Sequence, residues 1–160
     1  MLPIRTILHP TDFSDFSADA FHLACSLARD YGARLIVLHV EDVAVPMVGD
    51  GIMMPPPVMD LEPARDALRK IRPEDPIISV ERYLIEGDPA TEILQLARKT
   101  NADLIVMGTH GRTGVGRLLM GSVAERVLRE AACPVLTVKG QGTLESHPDS
   151  ISTSTMSQPA

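Results

Sequence analysis

Two hydrophobic periods take turns along this chain. Short runs rich in branched aliphatic residues, at 4–9, 34–40, 77–85, 103–107 and 134–138, have the length and composition of β-strands. Between them, apolar residues recur at helical spacing. Ala20, Leu23, Ala24, Leu27, Ala28 and Tyr31 share one helical face, and Gly32 stands where such a helix stops. Asp88 followed by Pro89 offers an N-cap and a first-turn proline to a helix whose stripe is Ile93, Leu94 and Ala97, ending near Asn101. Val123, Val127, Leu128 and Ala131 form another stripe, which Ser122 and Glu125 open in the S-x-x-E pattern of a capping box. A further helix over 61–71 tolerates Pro63 in its first turn and is ended by Pro73.

Five strands alternating with four helices predict an α/β fold. A parallel crossover needs an intervening element, so the expectation is a single doubly wound domain whose five-stranded parallel sheet has helices on both faces. Two segments depart from that plan. Residues 45–63 hold five prolines, four methionines and the Gly49-Asp50-Gly51 turn, which reads as a long mobile loop, a candidate lid or partner surface. Residues 140–160 are rich in Ser and Thr and poor in apolar residues, so they read as a disordered tail behind a domain spanning 1–139.

Composition narrows the class. The chain has 160 residues, enough for one domain with a sizeable core. Its net charge of -6 repels phosphate backbones and anionic bilayers at long range, so nucleic-acid and membrane partners are not expected and any phosphate site must be local. No aliphatic run approaches the roughly 20 residues that cross a bilayer, and no signal-like stretch follows Arg5, so a cytoplasmic setting is expected. Cys25 and Cys133 lack disulfide or zinc spacing and are expected to pack as small hydrophobes.

The chemistry gathers where glycine does. Gly108, Gly111, Gly114, Gly116 and Gly121 lie between a buried strand and a helix start. Glycine lets backbone approach a ligand closely, and the first turn of a helix offers unpaired N–H groups and partial positive charge. That combination cradles an anion without a basic surface. Walker A fails here, because Ser122 and Val123 follow Gly121 where Lys and Ser/Thr belong; the dinucleotide fingerprint fails at Leu119.

What stands instead is Gly108-Thr109-His110-Gly111, nine residues, then Gly121-Ser122, with Pro10-Thr11-Asp12 after the first strand. This G-x2-G-x9-G-S spacing resembles the ATP-binding branch of the universal stress protein family. Glu86-Gly87-Asp88-Pro89, Leu38-His39-Val40 and Cys133-Pro134-Val135-Leu136 extend the resemblance over about residues 2–139. It implies strand order 3-2-1-4-5, with a ligand crevice where strands one and four diverge. It also implies ATP, with Mg2+, as ligand and a homodimer through the strand at 134–138, whose free edge supplies the physical reason. The implied site is Pro10, Thr11 and Asp12; Val40 at adenine; Met107, Gly108, His110, Gly111 and Arg112; and Gly121, Ser122 and Val123.

Plainer roles stand beside these. Asp12 suits bracing its own loop or capping the next helix, Ser122 suits a helix cap with no ligand, and Arg112 and Arg117 suit a solvated loop as well as a phosphate. His9, His39 and His110 fall near strand ends, but nothing pairs them with a nucleophile and an orienting acid. His22 reads as structural or exposed. The expected function is therefore an ATP-binding regulatory protein of the stress response acting as a dimeric switch, with an unknown protein partner. A slow ATPase or phosphate-transferring enzyme and a nucleotide-free, chaperone-like module remain the alternatives; no catalytic residue is assigned, and metal ligands are left unassigned.

Overall fold

A computed structural model describes residues 3–42, 47–48, 52–53, 59–109 and 120–139. Its elements in chain order are β1 (Thr6–Pro10), α1 (Asp15–Tyr31), β2 (Arg34–Glu41), β3 (Met47–Val48), β4 (Ile52–Met53), α2 (Glu62–Lys70), β5 (Val80–Glu86), α3 (Pro89–Lys99), β6 (Leu104–Gly108), α4 (Ser122–Glu130) and β7 (Val135–Val138). The main sheet is parallel throughout in the order β5-β2-β1-β6-β7, which is 3-2-1-4-5 when its five strands are counted along the chain. The order reverses between β1 and β6, so their carboxyl ends diverge and leave a crevice.

The strands lack a simple polar alternation because both faces are covered. Ile7, Leu35, Val37, Leu104 and Val106 point to one face, where α1 contributes Ala20, Phe21, Ala24 and Ala28, and α2 contributes Leu68. Leu8, Ile36, Leu38, Ile105 and Met107 point to the other, against Ala90, Ile93, Leu94 and Ala97 of α3 and Ala124 and Val127 of α4. Burying each large aliphatic chain contributes about 1.5 to 3 kcal/mol, so these two layers carry most of the stability. The alanine spacing on α1 lets its backbone lie close to the sheet.

Helix ends follow the local chemistry. Gly32 closes α1 in the left-handed region, at φ 62°, where its lack of a Cβ removes the steric cost. Asp88 caps α3 by accepting from the Thr91 amide, with Pro89 in the first turn. Three readings shift. Residues 47–48 and 52–53 form a short antiparallel ladder inside the segment expected to be loop. β5 starts at Val80, because Asp75 draws 75–79 into a turn by accepting from the Ile77 amide at 3.0 Å, which leaves Ile77 79% exposed. α1 begins at Asp15, earlier than its apolar stripe suggests. The rest of 45–58 and the tail at 140–160 lie outside the described residues.

Cys25 and Cys133 are free, half-buried, and packed against the two core layers, as expected for small hydrophobes. Burial, reinforced by Glu74, pushes the Cys25 thiol up to about 11, and burial likewise raises Cys133. Neither is poised as a thiolate.

Candidate functional site

Beyond the carboxyl ends of β1, β2 and β6 lies a crevice of about 350 Å³, within the size range of small-molecule sites. Pro10, Thr11, Asp12, Val40, Met107, Gly108, Gly121, Ser122 and Val123 all line it. These are nine of the residues singled out from the sequence, and they come from four separate elements or their turns. His110, Gly111 and Arg112, with Arg117, lie outside the described residues.

The first lip is the turn from β1 into α1, and it is closed by its own side chains. Ser14 caps α1 by accepting from the Ser17 amide at 3.2 Å. Asp12 Oδ1 in turn accepts from the Ser14 amide at 3.1 Å and the Ser14 hydroxyl at 2.6 Å. Asp12 therefore braces the loop and does not cap the helix, one of the roles its position allowed. Thr11 Oγ1 accepts from the Phe13 amide at 3.1 Å and from the Ser17 hydroxyl at 2.8 Å, while Thr11 N–H donates to Leu38 O at 2.8 Å. These bonds hold Phe13 at φ 64°, a costly conformation for a side chain branching to an aromatic ring. Its ring lies 4.2 Å from that of His39.

Two buried histidines support this lip from below. His39 Nδ1 donates to Thr11 O at 2.8 Å, and its Nε2 faces Glu41 Oε2 at 3.3 Å. His9 is wholly buried, with Nδ1 bonding Val106 O at 2.9 Å and Nε2 at 3.5 Å from Ser17 Oγ. Burial drives the His9 pKa from 6.5 down to about 4, against the opposing pull of the Val106 carbonyl and Asp12, so the ring is neutral near pH 7. Neither ring lines the crevice. Both serve the architecture of the turn.

The second lip is the start of α4, and it is built differently. The S-x-x-E pattern predicts Ser122 as the cap, but Gly121 takes that place, at φ -62° and ψ 147°, with no side-chain cap bond. Gly121 N–H donates to Thr109 O at 2.8 Å, which sets the cap one residue before the serine. Glycine is not needed there for its φ; what it omits is a Cβ on the crevice wall. The first-turn amides of Ser122, Val123 and Ala124 thus begin a helix that no side chain among the described residues caps, beside a crevice that these residues line.

Between the lips, Leu38, Val40, Ile93 and Met107 give the crevice an apolar wall suited to a flat ring. Ser17, Asp42, Pro89, Ile93 and Thr109 also line it and were not singled out from the sequence. Pro89 and Ile93 carried a signal, the first turn of a well-capped helix; Asp42, two residues beyond Val40, carried only its place after a strand end. Among the described residues there is no cluster of three or more His, Cys, Asp or Glu placed to hold a metal, and no helix is long and apolar enough to cross a membrane.

A doubly wound α/β domain with a ligand-sized crevice at its topological switch point is the class that fold and site define. Residues 3–139 match the profile of the universal stress protein family, and the chain belongs to that family. It is 41% identical over 140 residues to Universal stress protein MJ0531 of Methanocaldococcus jannaschii, an alignment covering 84% of this chain and 82% of that one. Among solved structures, universal stress protein UspA from Lactobacillus plantarum superposes with a TM-score of 0.72 at 24% identity, covering 87% of this chain and 100% of the other. A universal stress protein solved in complex with cAMP superposes with a TM-score of 0.64 at 26% identity, over 87% of this chain and 99% of that one.

Proposed function

We propose that this chain holds ATP with Mg2+ in the β1/β6 crevice and acts as a dimeric, cytoplasmic regulatory switch of the stress response. The observation that carries the reading is convergence: nine residues chosen from motif spacing, spread over more than a hundred positions, line one crevice. The residues present fit the ligand. The apolar wall of Leu38, Val40, Ile93 and Met107 matches a purine, and the first turn of α4, with a glycine at its cap beside Gly108, matches phosphate oxygens. A related protein solved with cAMP supports an adenine nucleotide as the ligand class.

Charge explains the need for a cation. The described lining residues include two carboxylates, Asp12 and Asp42, and no Lys or Arg. A triphosphate there needs its charge offset, which Mg2+ would supply, with Asp12 or Asp42 the carboxylate that would hold it. Dimerisation through β7 is supported by its place at the end of the sheet, where β6 is its one partner among the described strands and Leu136 is 38% exposed. A switch then needs only a difference in nucleotide affinity between two states of that dimer.

The test is direct. Purified protein is denatured and the released small molecules are separated by chromatography, while the intact protein is melted with and without ATP–Mg. Nucleotide at 100 times Kd is expected to stabilise by about 2.7 kcal/mol, a rise in Tm of roughly 5 to 11 °C. No released nucleotide and no shift would favour a nucleotide-free module instead. Phosphate release in a single turnover separates a holder of ATP from a catalyst working at about 1 to 100 per second.

A further inference from the structure

Two helices wall the crevice: α3 through Pro89 and Ile93, and α4 through Ser122, Val123 and Ala124. Helix α4 is short, and its cap residue, Gly121, has no side chain with which to fix the first turn. A side chain one turn further on reaches out of it. Arg126 Nη1 bonds Asp88 Oδ2 at 2.7 Å, its Nη2 bonds Thr91 Oγ1 at 3.0 Å, and its Nε lies 3.5 Å from Glu130 Oε1 on its own helix. Asp88 Oδ2 also accepts from the Thr91 amide at 2.9 Å and the Thr91 hydroxyl at 2.6 Å.

These bonds close a ring. The Thr91 hydroxyl donates to Asp88 and accepts from Arg126, while Arg126 donates to both. The carboxylate that caps α3 is therefore the group that ties α4 to it, and that carboxyl is held below the usual range first by Thr91 and then by Arg126. Three nitrogens of one planar guanidinium are directed to three partners, a fork that a lysine ammonium on its flexible stem cannot reproduce.

We infer that Arg126, Asp88 and Thr91 form an interhelical clamp that sets the first turn of α4 against α3, making Arg126 a positioning residue for the crevice ligand although it lines no part of the crevice. The inference rests on the nucleotide reading and names what tunes that site. Arg126 and Asp88 side chains are 39% and 57% exposed, so solvent screens the pair and it adds little to the stability of the fold. Its effect falls on the fraction of molecules in the binding arrangement, which divides directly into the apparent affinity. An exposed pair of this kind limits the loss to about threefold to fivefold in Kd.

The experiment compares the full chain with Arg126→Met, Arg126→Lys, Asp88→Asn and the Asp88→Asn/Arg126→Met pair. Titration calorimetry gives Kd for ATP–Mg, melting without nucleotide gives stability, and hydrogen exchange follows the Glu125 amide, which bonds Gly121 O at 2.9 Å. Each single replacement at Arg126→Met or Asp88→Asn is expected to weaken binding about threefold to fivefold with little change in melting, and the pair to weaken it no further than either alone. Arg126→Lys falls between. The Glu125 amide exchanges faster in Arg126→Met. Unchanged Kd in Arg126→Met, or losses that multiply in the pair, overturn the clamp. Should the unaltered protein take no ATP–Mg, the nucleotide reading fails, and exchange alone decides: an unchanged Glu125 rate overturns the clamp as well, whereas a faster one keeps it as the device that orders α4.

Discussion

The two lips of the crevice solve the same problem in opposite ways. At the β1–α1 turn, Ser14 caps the helix, Asp12 holds Ser14, Thr11 holds Phe13, and Ser17 ties back to Thr11. At the start of α4 the cap position is held by Gly121, and no side chain among the described residues caps the helix. A helix start normally recruits a Ser, Asp or Thr because four amides lack intrahelical partners. Where the cap is missing beside a concave surface, those amides are available to an anion. The first lip is thus braced by its own side chains, whereas the proposed function has an anion meet the first turn of α4.

The largest effect should come from beneath the finished lip. His9 is neutral in the fold but protonates when unfolded, so between pH 6.5 and about 4 the unfolded state binds more protons and stability falls as pH drops. The loss reaches about 3 kcal/mol and levels off below pH 4. Urea unfolding across that range measures it, and His9→Asn, although less stable throughout, should lack the step. A His9→Asn profile parallel to that of the unaltered protein would contradict a neutral buried ring.

Next in size is the open lip. Gly121→Val demands no forbidden backbone angle, since φ there is -62°, but it places a branched side chain on the crevice wall. The ATP–Mg shift of about 2.7 kcal/mol at 100 times Kd should vanish while the protein without nucleotide still melts cooperatively. A smaller contrast sharpens the comparison most. Ser14→Ala should cost about 1 kcal/mol, or roughly 2 to 4 °C, because it deletes a working cap. Ser122→Ala should change the melting of the nucleotide-free protein by less than about 0.5 kcal/mol, because Gly121 and not Ser122 holds the cap position. Equal losses from the two serines would remove the distinction between the lips.

Much of this architecture was legible in the residues because strands buried on both faces read as continuous aliphatic runs and helices were punctuated by strong end signals. Asp88-Pro89 and Gly32 mark their helix ends correctly. Ser122 misleads because the glycine before it takes the cap position, drawn there by the bond from its amide to Thr109 O, which is distant in sequence. Ile77 misleads because an apolar residue beside Asp75 belongs to an Asx-type turn and not to the strand that follows. At the site, the glycine spacing and the Pro10-Thr11-Asp12 turn carry the reading. Asp42, Ser17 and Ile93 escape it, since their nearness to the glycines follows from strand order and helix packing, which no local pattern encodes.

A titration of isotope-labelled protein with ATP–Mg, followed by amide proton and nitrogen shifts, tests the central claim most directly. The account predicts that the amides of Ser122, Val123 and Ala124 move farthest, that Asp12, Val40 and Gly108 move with them, and that all saturate with a single Kd. Saturating shifts on another surface, with 122–124 unmoved, would contradict it.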